Sequence, residues 1–182
     1  MKIDRIHHVA YRCRDAKETV DWYREMLGME FVLAIAEDQV PSTHAPDPYM
    51  HVFLDAGGGN ILAFFELPNQ PAMGKDPNTP AWVQHLALKV PSEEALLAAK
   101  AHIEAQGIDV LGPTHHGIFK SIYFFDPNGH RVELAADIGT VEQYEELARV
   151  APVMLEEWSQ TKKAPRHADW LHELARAQHA AK

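Results

Sequence analysis

The chain has 182 residues, of which 46% are hydrophobic and 24% charged, as is typical of a globular protein that can bury a core. Its formal net charge of -9 argues against a general nucleic-acid or anionic-membrane binder, because phosphate binding depends on clustered Lys and Arg. The single cysteine, Cys13, excludes an intramolecular disulfide. With no signal peptide and no apolar run of the roughly 20 residues that span a bilayer, we expect a cytoplasmic protein.

The first predicted elements are a strand, a helix and a second strand within residues 6–32. Residues 8–13 alternate with the two-residue period of a strand. Asp15 followed by Glu18 is the capping-box pattern of a helix start, and Gly28 predicts the end of that helix in a left-handed conformation. Two further strands are predicted at residues 50–55 and 61–67, and the glycine-rich residues 57–60 between them are predicted to form a hairpin turn.

The same plan repeats in residues 84–111, which predicts a second, similar module. Ser92 caps its helix and Gly107 ends it. Two strands follow, and the run DPNG between them is a strong hairpin signal. The predicted organisation is a domain of residues 1–138, made of module one (1–68), a linker (69–80) and module two (81–138). A helical extension (139–182) follows, with helices at 141–161 and 168–180.

Four side chains that can bind a metal ion occur at similar places in the two modules. His8 and His85 lie on the opening strands, and Glu66 and Glu133 lie on the last strands. Imidazoles together with carboxylates suit Fe(II), Mn(II), Ni(II), Co(II) or Zn(II). Glu66 stands in the apolar run ILAFFEL, where an unpaired carboxylate is costly and favours a cation. The pattern therefore predicts a divalent-metal site.

Two stretches of the sequence resemble the vicinal oxygen chelate superfamily of glyoxalases, bleomycin-resistance proteins and extradiol dioxygenases. They are IHHVAYRCRDAKETVDWYREMLGMEF, similar to the opening module, and YFFDPNGHRVEL, similar to the closing hairpin. The resemblance covers about residues 3–136. It implies an α+β fold in which two βαβββ modules form a curved mixed sheet around one metal, with the C-terminal helices outside. It also implies four metal ligands: His8, Glu66, His85 and Glu133.

Within that superfamily, a stretch of module two resembles extradiol ring-cleaving dioxygenases. The matching residues are Thr114, His116, Ile122, Tyr123, Asp126, Pro127, Gly129 and Glu133. The resemblance implies that His116 and Tyr123 hydrogen-bond the substrate or oxygen. It also implies that His8, His85 and Glu133 bind Fe(II) and leave three positions open for a catechol and dioxygen. A DPNG turn also predicts that Tyr123 shares a face with Glu133. We favour this reading, with Fe(II) as the metal.

Two alternatives stay open. In a glyoxalase-like lyase, isomerase or epimerase, Glu66 would be a fourth ligand and a proton carrier. In a bleomycin-resistance-like protein, the chain would only sequester a ligand. Candidate substrate contacts are Arg12, which resembles an anion-binding strand arginine of glyoxalases, Asn60, which stands where dioxygenases have a catalytic histidine, and Lys120. The expected partners are a small-molecule substrate and a second copy of the chain, with no nucleic acid and no membrane.

Overall fold

The computed structural model describes residues 2–179. By its internal contacts the chain forms two compact units. Unit 1 comprises the residues up to 85 together with 125–131, and unit 2 comprises 86–124 together with the residues from 132 onward. The division into domains at residue 138 stays a prediction.

Unit 1 contains the first βαβββ module. Its elements are β1 (Val9–Cys13), α1 (Ala16–Leu27), β2 (Glu30–Glu37), β3 (Tyr49–Asp55) and β4 (Ile61–Glu66). They form a four-stranded sheet, here sheet 1, in the order β1-β4-β3-β2, with β1 parallel to β4 and the other pairs antiparallel. Helix α1 begins as predicted, since the Asp15 side chain accepts a 2.8 Å hydrogen bond from the Glu18 amide. It ends as predicted at Gly28, with φ 65°.

The second module repeats this plan in a second sheet, sheet 2. Its elements are β5 (Leu86–Lys89), α2 (Glu93–Ala105), β6 (Leu111–His115), β7 (Phe119–Phe125) and β8 (Arg131–Asp137), followed by α3 (Val141–Thr161) and α4 (Asp169–His179). The strand order is β5-β8-β7-β6. Two mixed four-stranded sheets with helices confirm the predicted fold class. The strand predicted after Gly107 is β6, which begins at Leu111 and continues through Gly112 and Pro113 to His115. The predicted last residue of the final helix, Ala180, lies outside the described residues.

Sheet 1 has two faces with different surroundings. Directly paired residues share a face, so Tyr11, Phe64 and Val52 lie on one side of the sheet. Helix α1 packs there, with the buried Tyr23 ring 5.0 Å from Phe64, and we call this the helix face. The opposite side carries His51, and we call it the histidine face.

The turn between β7 and β8 belongs to unit 1. The buried Tyr23 hydroxyl donates a 3.2 Å hydrogen bond to the Asp126 carboxylate. Burial, together with this carboxylate, raises the pKa of Tyr23. His130 Nε2 lies 2.7 Å from the Arg12 carbonyl oxygen, and Asn128 donates a 3.1 Å bond to the Thr19 hydroxyl. These polar contacts join residues that are far apart in the sequence.

The two sheets differ in how their margins are covered. Every residue of β2, the edge strand of sheet 1, is exposed, including Phe31 and Ile35. In unit 2 the C-terminal helices cover the region around Ile118, whose carbonyl accepts a 3.1 Å bond from the Tyr144 hydroxyl of α3. Gly117 lies directly against Leu171 of α4. No helix among residues 2–179 is both long and apolar enough to cross a membrane.

Candidate functional site

Glu133 is a buried carboxylate near the start of β8. Its side chain is 4% exposed and accepts a hydrogen bond from the hydroxyl of Ser121 on β7, which is fully buried. The register of the parallel strands places Ala87 of β5 directly opposite Glu133. Because a buried carboxylate is costly without donors or a cation, this position suits a metal ligand.

His85 directly precedes β5 and is exposed. Its Nδ1 lies 3.0 Å from the Val83 carbonyl oxygen. In the tautomer that donates this bond, Nε2 carries the lone pair. A backbone carbonyl on one ring nitrogen is the usual arrangement that orients a metal-binding histidine.

His8 directly precedes β1 and is also exposed. Its Nδ1 is 2.8 Å from Nδ1 of His7, so one of these two nitrogens donates and the other accepts. The His8 ring meets the rings of Phe53 and His51 edge-on, at centroid distances of 5.6 and 5.9 Å. His8 therefore lies on the histidine face of sheet 1.

His51 of β3 is a neighbour of His8 that sequence reasoning missed. It is 7% exposed and stacks on Phe65, with ring centroids 3.6 Å apart. Burial, and to a smaller extent His8, lowers the pKa of His51, which favours the neutral imidazole. The alternation of YMHVFLD could have shown that His51 and Phe53 share one face of the strand.

Glu66 lies on the helix face, away from His8. Its carboxylate accepts a 2.7 Å hydrogen bond from the Ala16 amide in the first turn of α1. The strand register pairs Glu66 with Cys13, whereas Ala10, two residues after His8, pairs with Ala63. The structure therefore does not bring Glu66 and His8 together, and Glu66 as a ligand stays a prediction.

The two modules do not place their carboxylates at equivalent positions. In sheet 2 the residue two positions after His85 pairs with Glu133. In sheet 1 the residue two positions after His8 pairs with Ala63. The residue that corresponds to Glu133 is therefore Ala63, which cannot bind a metal through its side chain.

His116 and Tyr123 are brought together as the sequence pattern suggested. His116 Nε2 lies 2.8 Å from the Tyr123 hydroxyl. His116 stands in the turn between β6 and β7, where its amide donates a 2.9 Å bond to the Phe119 carbonyl. Tyr123 lies two residues after Ser121 on β7, so it shares the face of the residue that hydrogen-bonds Glu133.

The three predicted substrate contacts each have partners within the protein. Arg12 donates a 2.7 Å bond to the Pro71 carbonyl through Nη2, although its buried Nε has no partner among the described residues. Asn60 donates a 2.8 Å bond to the Gly57 carbonyl inside the predicted glycine turn. Lys120 forms a partly buried ion pair with Glu93 of α2. Asn60 and Lys120 thus have local structural roles.

Metal binding by the predicted set stays a prediction. Across residues 2–179, no three His, Cys, Asp or Glu side chains form a group that could hold a metal ion. The predicted set takes His8, Glu66 and His85 from unit 1 and Glu133 from unit 2.

Comparisons with known proteins agree with the fold. A family model described as "Glyoxalase/Bleomycin resistance protein/Dioxygenase superfamily" matches residues 5–134. The structure of the fosfomycin resistance protein FosX from Listeria monocytogenes, complexed with Mn(II) and sulfate, has a TM-score of 0.54 at 20% identity. That match covers 78% of this chain and 97% of FosX. At that identity the likeness shows a shared fold.

Two curated relatives are named as dioxygenases. MhqA of Bacillus subtilis (strain 168), whose name assigns it provisionally to the ring-cleaving dioxygenases, is 31% identical over 145 residues, or 75% of this chain and 42% of MhqA. Biphenyl-2,3-diol 1,2-dioxygenase 3 of Rhodococcus globerulus is 27% identical over 135 residues, or 73% of this chain and 63% of that protein. The chain thus spans less than two thirds of either relative.

Proposed function

Because the chain belongs to the Glyoxalase/Bleomycin resistance protein/Dioxygenase superfamily, we propose that it is an Fe(II)-dependent enzyme that opens the ring of a catechol-like aromatic with dioxygen. Members of this superfamily use divalent metals and act on small molecules. Both curated relatives are named as dioxygenases, and the name of MhqA specifies ring cleavage, which supports this reaction over the other chemistries of the superfamily.

The observation that carries the proposal is the hydrogen bond between His116 and Tyr123. The pair lies on β7 and its preceding turn, and Tyr123 shares a face with Ser121, the donor to Glu133. A ring-cleaving enzyme needs a group that manages the proton of a substrate hydroxyl close to the metal. An imidazole bonded to a phenol can pass a proton between Nε2 and the hydroxyl oxygen.

The donor set fits a metal held by three protein ligands. We propose His8, His85 and Glu133, which are two imidazoles and one carboxylate, the combination that binds Fe(II) in many oxygenases. The buried Glu133 carboxylate and the oriented His85 ring support this choice. When bound, such an ion would supply the site for both catechol oxygens and the electron transfer to dioxygen.

A four-ligand lyase site is not favoured by the position of Glu66. Its carboxylate is engaged at the start of α1 on the helix face, and the position matching Glu133 is Ala63. Three ligands leave more open coordination positions than four, as a reaction with two substrates requires. Within this proposal the role of Glu66 is to stabilise α1.

The test is metal analysis of protein purified without oxygen, followed by oxygen uptake with a panel of catechols. Samples loaded with Fe(II), Mn(II), Co(II), Ni(II) or Zn(II) are compared. We expect oxygen consumption and a yellow ring-opened product with Fe(II). Binding of Ni(II) or Zn(II) with turnover of hemithioacetals and no oxygen uptake would replace the dioxygenase with a lyase. Ligand binding without metal or turnover would indicate a sequestering protein.

We also propose that the chain forms a homodimer. The exposed apolar edge strand β2 supports this, because a second copy could cover side chains such as Phe31 and Ile35. Its solution mass, measured by light scattering, tests the proposal directly.

A further inference from the structure

Helix α3 presents a regular row of apolar residues to solvent. Their spacing alternates between three and four residues along the helix, as in the seam of a coiled coil. Every residue of the row is exposed, and Val141, Leu155 and Trp158 keep 68%, 70% and 46% of their surface. At 3.6 residues per turn the row falls within an arc of roughly 100°. We call it the heptad row, which consists of Val141, Tyr144, Ala148, Ala151, Leu155 and Trp158.

The heptad row is separate from the side by which α3 packs on its own unit. Val150 is 3% exposed, and Leu147 and Met154, one helical turn to either side of it, are half-buried. These residues form a second apolar face, about a third of a turn away from the row. The remaining side of the helix is charged, with Glu142, Arg149 and Glu156. One apolar face is enough to pack a helix on its core, so the second indicates a further contact.

The heptad row is complementary to itself when two copies of α3 run in opposite directions. Larger side chains stand at both ends of the row, and the two alanines stand in its middle. Antiparallel pairing places Val141 opposite Trp158 of the second copy, and Ala148 opposite Ala151 of the second copy. Small side chains in the middle let the two helix axes approach to about 8 Å where they cross. The row therefore fits a second copy of the same helix.

The charges at the two ends of α3 favour the same direction. Glu142 and Glu145 lie in the first two turns, whereas Lys162 and Lys163 follow the last turn. In an antiparallel pair, the acidic start of each helix lies within about a Debye length of the other copy's basic end. A parallel pair would instead bring like charges together at both ends. Because one chain carries both charges and the symmetric row, the complement of α3 is another α3.

We propose that α3 is an interaction surface for a second copy of this chain, and that the two copies pair antiparallel along their heptad rows. A contact between identical surfaces is closed by a two-fold axis, so it joins two chains. The β2 contact proposed above is a different surface, and chains that use both contacts assemble as a tetramer. The pairing does not depend on the proposed reaction, since α3 follows the family-matched residues 5–134.

The test is cysteine cross-linking of the full chain. Cys13, the natural cysteine, is buried, and burial raises its pKa to about 11, so a cysteine introduced on the surface is the reactive thiol. Val141→Cys protein is mixed in equal amounts with Trp158→Cys protein under a mild oxidant, and the covalent dimers are identified by mass spectrometry.

Antiparallel pairing separates like positions by about 25 Å along the helix axis, which is too far for a disulfide. We therefore expect dimers that join residue 141 to residue 158 to outnumber the dimers of like positions at least about tenfold. Dimers of like positions at their random share, or no covalent dimer at all, would overturn the proposal.

A second measurement needs no introduced thiol. Leu155→Lys places a charge within the heptad row at a residue that is 70% exposed, so the folded unit tolerates it. We expect the dissociation constant of the α3 contact to rise at least about tenfold, measured by analytical ultracentrifugation. Val153→Lys is the matched control, since Val153 is 48% exposed and lies on α3 outside the row. Both changes are made in the Ile35→Lys background, which weakens the β2 contact, and equal dissociation constants would overturn the proposal.

Discussion

The two modules share their strand order and the side-chain caps at the starts of their helices, but they differ in what they can do chemically. Both place a histidine immediately before the opening strand, at His8 and His85. In sheet 2 the residue two positions after this histidine pairs with the buried carboxylate Glu133. In sheet 1 the corresponding residue pairs with Ala63. The repeat thus preserves the packing of the fold, whereas the proposed carboxylate ligand comes from one module only.

The modules also differ in whether the apolar residues at the edges of their sheets are covered by other elements. In unit 2 the C-terminal helices pack against the turn between β6 and β7, with Leu171 against Gly117. In unit 1 the edge strand β2 exposes its side chains throughout. The extension therefore packs within its own unit, whereas the apolar side chains of β2 are exposed.

The largest effect is expected from Glu133→Gln, which tests the chemical difference between the modules. The amide keeps the size of the side chain and an acceptor for Ser121 but loses the charge that a metal ligand needs. We expect divalent-metal affinity to fall at least about 100-fold, measured by calorimetry. Glu66→Gln is the matched control and should bind metal like the parent protein. The reverse ranking would show that the functional carboxylate belongs to module one.

Gly117→Ala tests the contact that covers unit 2. A Cβ at residue 117 would lie 2.3 Å from Leu171 Cδ1 and 2.8 Å from its carbonyl oxygen, and Gly117 has φ +91°. We expect the free energy of unfolding to fall by about 3 kcal/mol, measured by urea denaturation. Gly74→Ala, where a Cβ would meet nothing within 4 Å, should have little effect. An unchanged midpoint for Gly117→Ala would mean that α4 does not stabilise the unit.

Glu66→Ala tests the structural role of the carboxylate in module one. The change leaves the Ala16 amide, at the start of α1, without its acceptor. We expect a loss of about 1–2 kcal/mol in the free energy of unfolding, with metal content unaltered. Glu66→Gln keeps an acceptor and should lose less. A stable variant that no longer binds metal would assign Glu66 to the metal site instead.

Ile35→Lys tests the exposed edge strand. A lysine on an edge strand opposes pairing with a second copy, and Ile35 is 44% exposed, so the monomer tolerates the charge. We expect the dimer dissociation constant to rise about tenfold, or about 1.4 kcal/mol, by analytical ultracentrifugation. Leu97→Lys, at an exposed apolar position on α2, is the control. Equal dissociation constants for both variants would place the dimer interface elsewhere.

Local signals in the sequence predicted local structure well. The helix caps at Asp15 and Ser92 depend on a few neighbouring residues, and both form as expected. The DPNG run closes a hairpin, with the Asp126 amide bonded to the His130 carbonyl at 3.0 Å. Such features can be predicted because the residues that determine them all lie within a few positions of one another in the sequence.

Features that depend on strand pairing were harder to predict. Glu66 and Glu133 both lie in the last strand of their modules, but Glu66 pairs with Cys13 whereas Glu133 pairs with Ala87, two residues after the module's histidine. A shift of an odd number of residues moves a side chain to the opposite face, and sequence alternation alone cannot show which partner it meets. The burial of His51 was missed for the same reason, since it depends on the cross-strand neighbour Phe65, on which its ring stacks.

The turn between β7 and β8 affects when the first unit can finish folding during translation. Because residues 125–131 supply the acceptor for the buried Tyr23 hydroxyl, the first unit remains incomplete while the ribosome is still translating the second module. A gene cut at the linker would release a half-protein with that hydroxyl unsatisfied. Residues 1–85 alone are therefore not expected to form a complete unit 1.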